Sequence, residues 1–242
     1  MADPTTAPAP SDPTSDGDAA VSGAADGIAG PPSERATVRR LGERGRYDAA
    51  TVHAILDAGF VCHVGISTDH GPVVIPTAYG RRDDVLYLHG SPAARWLRGA
   101  KRGEPVCVTV TLVDGLVVAR STFHHSLNYR SVVLFGEATE VRDPDEKARA
   151  LDAFVDHVLP GRSGEVRPST AKELAGTLVL ALPIDEGSAK VRTGGPVDEP
   201  DDLAVDAWAG VVPLGTAVGA PEPSADLRAG IEVPPSVAGW TR

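Results

Sequence analysis

The sequence predicts a mainly β protein, a six-stranded antiparallel β-barrel with helices on its flanks. Three observations predict it. Short Val-rich runs recur with a period of two residues along the middle of the chain. Gly, Asp, Asn and Pro clusters separate those runs at hairpin spacing. Helical periodicity is confined to a few stretches, and short strands with few intervening helices suggest a closed or nearly closed barrel. A small barrel fills its interior with its own side chains, so a ligand belongs outside it, in a groove against helices or a second subunit.

Each element has a local cause. Asp48 caps a helix whose apolar face is Val52, Ile55 and Leu56, and Gly59 ends it. Residues 60–67 alternate as a strand, 68–71 (Thr-Asp-His-Gly) turn, and 72–79 form a second strand. A turn over 80–84 leads to a third strand, 85–89, and the three are expected to form an antiparallel meander. Ser91 as N-cap and Pro92 as first helical residue open a short basic helix through Lys101. A fourth strand spans 105–113, Asp114-Gly115 carries a two-residue hairpin signal, and a fifth strand spans 116–121. A sixth, long strand covers 129–141. An amphipathic helix starts at Asp143 or Pro144 and runs to Leu159, with Ala148, Leu151, Phe154, Val155 and Val158 at helical spacing. A short helix over 169–174, strands over 177–184 and 188–192, and an edge strand over 208–214 complete the body.

Charge divides the chain into three parts. Residues 1–33 carry −5, residues 195–242 carry −6, and the stretch between them is +1. The first 33 residues are rich in Ala, Pro, Asp and Ser, with too little apolar surface to offset ordering entropy, and are expected to be a disordered acidic tail. The folded domain is expected over 34–216 and a Pro-rich tail over 217–242. Acidic ends argue against nucleic-acid binding. No apolar run is long enough for a transmembrane helix and the start lacks the pattern of a secretory signal, so the expected location is the cytoplasm, away from membranes. Cys62 and Cys107 are the only cysteines and read as buried thiols rather than a disulfide or zinc framework.

No Walker loop, G-x-G-x-x-G fingerprint, nucleophile elbow or H-E-x-x-H motif occurs. Three polar clusters remain. In the first, a strand ends at His89, Ser91 follows in a turn, and Arg95 lies in the basic helix, where an anion or a solvated surface would suit it. The second is the cluster Ser121 to Val132, with His124 and His125 adjacent. Neighbours on an extended chain face opposite ways, so a shared metal is disfavoured and no metal site is expected. Either histidine remains a candidate proton donor or haem ligand. In the third, Lys190 and Arg192 share one strand face, suited to an anion or to an aggregation-resistant edge.

These clusters, in this order, resemble the pyridoxamine 5'-phosphate oxidase-like superfamily, and most of all its flavin-nucleotide-binding and nitroimidazole-resistance reductase-like branch. The stretch from Asn128 through Arg130 and Ser131 to Ala138 is the most specific. Tyr87 to Arg95, Ser188 to Thr193 and Trp208 to Leu214 add to it. The resemblance implies a split-barrel homodimer binding FMN between subunits. It implies that His89, Ser91 and Arg95 hold the ribityl phosphate and that Pro76, Thr77 and Tyr79 run along the isoalloxazine ring. It further implies that Asn128, Arg130 and Ser131 serve the flavin, the first two from the partner chain. Lys190, Arg192 and Trp208 would close the groove.

The chain departs from the oxidase pattern. An arginine stands at Arg95 where the oxidase has a lysine, and Pro76-Thr77 replaces a basic pair. The Trp-x-Arg-Leu segment that grips the vitamin phosphate is missing. The resemblance therefore implies an FMN-dependent oxidoreductase that reduces a small aromatic or nitro compound with NAD(P)H-derived electrons. A non-turnover flavin protein, an F420 protein and a haem protein are the alternatives.

Overall fold

The computed structural model describes residues 30–241. Most of the acidic N-terminal tail expected from the sequence therefore lies outside the described residues. The strands are β1 (Gly45–Arg46), β2 (Val61–Thr68), β3 (Gly71–Ala78), β4 (Gly80–Arg82), β5 (Val85–Gly90), β6 (Pro105–Val118), β7 (Ser126–Glu137), β8 (Thr139–Glu140), β9 (Leu178–Pro183), β10 (Gly187–Arg192) and β11 (Gly210–Pro213). The helices are α1 (Ala49–Ala58), α2 (Arg95–Lys101), α3 (Pro144–Val158), α4 (Ala171–Gly176) and α5 (Pro235–Ala238). Every strand pairing is antiparallel. One sheet runs β1-β10-β7-β6-β2-β3 with β11 also on β6, and a second runs β4-β5-β9-β8. Both sheets contribute to one apolar core, with Val64, Val108 and Leu134 from the first and Leu86, Leu88, Leu180 and Leu182 from the second.

The expected Asp caps of α1 and α3 are present. The Asp48 carboxylate accepts from Thr51 N at 2.8 Å, and Asp143 accepts from Glu146 N at 2.8 Å. Gly59 ends α1 for a packing reason: a Cβ there would lie 2.6 Å from Val110 Cγ1 and 2.7 Å from the Tyr79 hydroxyl. Near the N-terminus, Arg35 makes a two-pronged pair with Glu186 and lies over the Phe135 ring. That guanidinium holds the Glu186 carboxyl down to about 2. The far end of the chain also docks, with Trp240 Nε1 donating to Val158 O at 3.1 Å and the Trp240 ring 5.7 Å from Phe60.

Three local expectations are corrected. The first three long strands are not a meander. β3 is the edge of its sheet, and the chain crosses at Tyr79 into the second sheet, where β4 and β5 form a hairpin and β5 continues onto β9. Gly80 permits the crossing by passing close under α3, where a Cβ would lie 2.7 Å from Phe154 Cα. Asp114-Gly115 is a bulge within the continuous β6, opposite Asn128, and the hairpin closes later through 119–125. The Asp114 carboxylate is engaged across the ladder by Arg130, and β11 packs close over Gly115. Helix α2 begins at Arg95 rather than Pro92. Ser91 caps a preceding turn, its Oγ accepting from Ala93 N at 3.2 Å and its carbonyl from Ala94 N at 2.9 Å.

Candidate cofactor site

A cavity of about 960 Å³ lies between the β2–β3 hairpin and α2. That volume is within the range of small-molecule and cofactor sites. Ile66, Val73 and Ile75 line its sheet side and Trp96 its helix side. Arg95 and Arg102 supply positive charge, and His70 stands at the hairpin turn. Arg102 is paired with Glu104. The Arg95 guanidinium has no partner among the described residues. The cavity combines apolar walls, an aromatic ring and two arginines with the carboxylates Asp69 and Glu104.

The predicted residues distribute unevenly around it. Arg95 is on the wall at the first position of α2. Ser91 is exposed one turn earlier. Thr77 shares the β3 face of Val73 and Ile75 without lining the cavity itself, and Pro76 faces the other way. As an edge strand, β3 leaves alternate backbone N–H and C=O groups free of ladder partners. Tyr79 is a core pillar: its ring is fully buried and its hydroxyl donates to Leu56 O at 2.5 Å. His89 turns away from Arg95. Its ring packs edge-on against Phe154 of α3 with centroids 4.2 Å apart, burial lowers its pKa, and it does not line the cavity.

The remaining candidates form a second group along the β7–β10 seam. Asn128 and Arg192 are buried and hydrogen-bonded to each other. Ser131 Oγ donates to Lys190 O at 3.3 Å, and Lys190 Nζ donates to Arg40 O at 2.9 Å. Arg130 leaves this group for a bidentate pair with Asp114 at 2.7 and 2.9 Å, which raises its pKa. None of these residues lines the cavity within one chain. His124 and His125 diverge on the β6–β7 loop. His124 Nε2 lies 3.7 Å from Glu199 Oε1, and His125 Nδ1 meets Ser121 O at 2.8 Å. The segment carrying Glu199 is fixed by the Asp198 carboxylate, which accepts from Arg120 N at 3.0 Å and from the Arg120 guanidinium at 2.8 Å. Trp208 is largely exposed against Gly210.

His70, Trp96 and Arg102 carry no local signal that marks them as site residues. His70 reads as part of a turn, and Trp96 sits in a helix that reads as a charged surface. Both matter because the hairpin and the helix close on each other, a long-range contact with no local signature. Among the described residues no three His, Cys, Asp or Glu side chains converge as a metal site, and no helix is long and apolar enough to cross a membrane.

An antiparallel body of two sheets around one core, with a cofactor-sized cavity outside it, defines a split-barrel protein. The sequence model of the pyridoxamine 5'-phosphate oxidase family matches residues 48–191, and the chain belongs to that family. Among solved structures it is similar to the flavocytochrome Anf3 from Azotobacter vinelandii, at 41% identity and a TM-score of 0.83, over 88% of this chain and 99% of that one. It is similar to the FAD and heme binding protein from Mycobacterium smegmatis, at 44% identity and a TM-score of 0.78, over 81% of this chain and 96% of that one. A putative 5-nitroimidazole antibiotic resistance protein from Bacteroides thetaiotaomicron is more distant, at 26% identity and a TM-score of 0.52, over 61% of this chain and 86% of that one. No curated protein matches the chain.

Proposed function

We propose that this protein is a flavin-dependent oxidoreductase that binds its flavin in the cavity between the β2–β3 hairpin and α2. The observation that carries the reading is Arg95, an unpartnered guanidinium on the wall of a cavity that also presents Ile66, Val73, Ile75 and Trp96. The residues present fit a flavin nucleotide. Arg95 pairs with the ribityl phosphate, the part FMN and FAD share. Ile66, Ile75 and Trp96 keep water from the ring, and the free edge of β3 orients it. A bound flavin supplies hydride uptake and its onward delivery in one- or two-electron steps. His125, whose Nδ1 is held by the Ser121 carbonyl, leaves Nε2 to move a proton.

NAD(P)H is the proposed donor and a small aromatic or nitro compound the acceptor, in the cytoplasm. The likeness to a protein named for nitroimidazole resistance supports the acceptor class. A homodimer completes the site in this reading, bringing the β7–β10 seam of one chain to the cavity of the other. An apolar strip supports a second copy as partner: Leu116, Leu127 and Val212 are cross-strand neighbours on β6, β7 and β11, and all three are exposed.

A second reading, that the chain also takes haem, is favoured by His70. An imidazole beside apolar walls and a guanidinium is a donor set that haem uses. The relatives at 41% and 44% identity carry names that join a flavin with a cytochrome or heme. The absorbance spectrum of purified protein tests both readings. Paired near-ultraviolet and blue flavin bands are expected, bleached by NAD(P)H without oxygen. A Soret band that His70→Ala removes, leaving the flavin bands, supports haem. Arg95→Ala should weaken flavin binding by about 1.5–3 kcal/mol, the scale of a charged hydrogen bond. Protein that fails to take up any added flavin overturns the proposal.

A further inference from the structure

The β1–β10 edge of the first sheet concentrates positive charge. Arg39, Arg40, Arg44 and Arg46 lie on and just before β1, and Lys190 and Arg192 lie on β10 beside it. Gly45 and Arg46 pair with Lys190 and Ala189 in the ladder, which fixes the turn against β10. Three carboxylates stand near these six cations, so a surplus of three positive charges remains. Glu34 pairs with Arg39 at 2.5 Å, Glu43 lies 3.8 Å from Arg44 Nε, and Asp48 near Arg46 is engaged as the N-cap of α1.

The other cations are held by neutral groups. Lys190 Nζ donates to Arg40 O at 2.9 Å, and Arg46 Nη1 donates to Glu43 O and Gly45 O at 2.7 Å each. Arg192 donates only to Asn128, Gly194 O and Gly195 O. The Arg40 guanidinium has no partner among the described residues. These hydrogen bonds place the charges without neutralising them. Arg192 is more than nine-tenths buried, and Arg44 adds like charge to it. Two guanidinium groups in that relation favour an anion between them. Leu41, between the arginines, has φ 55° and ψ 57°, a left-handed conformation that a branched side chain rarely adopts. Arg44 N donates to Leu41 O at 3.0 Å, and the bend leaves the Leu41 side chain exposed. Backbone strain of this kind is kept where a binding geometry is needed.

We propose that this edge binds the 2′-phosphate of NADPH, so that the protein takes its hydride from NADPH in preference to NADH. This rests on the reading of the protein as a flavin-dependent oxidoreductase, in which a homodimer brings the β7–β10 seam to the cavity. A phosphate monoester carries close to two negative charges at neutral pH, which the surplus matches. Arg40 and Arg44 pair with the phosphate, Arg192 adds its charge from beneath, and Leu41 offers the adenine an apolar face. NADPH is oxidised to NADP+ as its hydride reduces the flavin. NADH lacks the phosphate and leaves the cations unpaired.

The test is calorimetric titration with adenosine 2′,5′-bisphosphate and with adenosine 5′-monophosphate, which differ by that phosphate. The rates at which NADPH and NADH bleach the flavin-loaded protein without oxygen are measured alongside. Wild type should bind the bisphosphate at least about tenfold more tightly, the scale of one charged hydrogen bond, and should be reduced faster by low concentrations of NADPH. The double variant Arg40→Ala/Arg44→Ala should lose both preferences. Arg142→Ala, at an exposed site paired with Glu140 beside the other sheet, should keep both. Equal binding of the two adenosine phosphates by wild type overturns the inference, as does a preference that survives in the double variant or is lost in the Arg142 variant. Inorganic phosphate binding as tightly as the bisphosphate overturns it in favour of a simple anion site. A binding preference without a kinetic one overturns the assignment to the donor. If no flavin binds, the oxidoreductase reading fails, while the adenosine titrations still decide the phosphate site.

Discussion

The Arg192 guanidinium donates to the side-chain oxygen of Asn128, and both residues are more than nine-tenths buried. The same guanidinium donates to Gly194 O at 3.3 Å and Gly195 O at 3.1 Å, and Asn128 Nδ2 donates to Gly194 O at 3.1 Å. The pair ties the start of β7 to the turn after β10. All of Arg192's hydrogen-bond acceptors are neutral; burial lowers its pKa, and nearby Arg44 adds to that. Asn128→Ala would leave part of a buried guanidinium unsatisfied, at a cost of about 1–3 kcal/mol. A lower urea midpoint at unchanged m-value is the expected result. Unchanged stability would make Asn128 a ligand residue only.

Arg130 and Asp114 stabilise the β6 bulge as a half-exposed bidentate pair. Solvent limits such a pair to about 0.5–1 kcal/mol of coupling. A double-mutant cycle with Arg130→Ala and Asp114→Ala should return that value from urea midpoints. Flavin affinity measured on the same four proteins separates this structural role from a contact with flavin.

The Tyr79 hydroxyl reaches Leu56 O through the gap that Gly59 leaves open. Tyr79→Phe removes a buried donor and should cost about 1–2 kcal/mol. Gly59→Ala puts a methyl group against Val110 and Tyr79 and should cost about 1–3 kcal/mol by overpacking. Neither change should alter the flavin spectrum, because Tyr79 faces the core.

Burial against Phe154 lowers the His89 pKa below its ordinary 6.5. The unfolded chain then binds that proton more readily than the folded one. This contribution to stability is complete above about pH 6.5 and is lost as the pH falls toward the folded-state value. Urea midpoints between pH 8 and pH 5 should fall more steeply for wild type than for His89→Gln. Parallel curves would contradict the burial of a neutral imidazole.

Burial pushes the Cys62 thiol up to about 12. Little thiolate forms at neutral pH, and the side chain has no exposed surface. Alkylating reagent should therefore modify Cys62 only in denaturant, while the partly exposed Cys107 reacts in the native protein.

Elements were legible where one local device sufficed. Asp48 and Gly59 bracket α1, Asp143 opens α3, alternating residues mark β2, and a continuous apolar run marks β9. Asp114-Gly115 misled because a bulge and a hairpin turn use the same residues. What separates them is Arg130, sixteen positions away, holding the Asp114 carboxylate across the ladder. The meander failed at Tyr79 for a similar reason, since the choice between pairing β3 and joining a second sheet depends on α3 above Gly80. At the candidate site, Arg95 and the β3 face were legible from strand and helix order. His70 was not, because it enters the cavity only when the hairpin and α2 meet.

By itself the sequence determined the β class, the helix caps, the neutral body between acidic ends and the family. Those follow from period, capping chemistry, composition and motif order, all short-range or linear properties. Only the tertiary structure decided which polar groups stand together. It separated His89 from Arg95, committed Arg130 to Asp114 and Arg192 to Asn128, and gathered Arg40, Arg44 and Arg46 beside Lys190 and Arg192. The physical reason is that a side chain's partners are set by burial and by contacts between distant segments, and identical residues serve a ligand or a neighbour according to which arrives first.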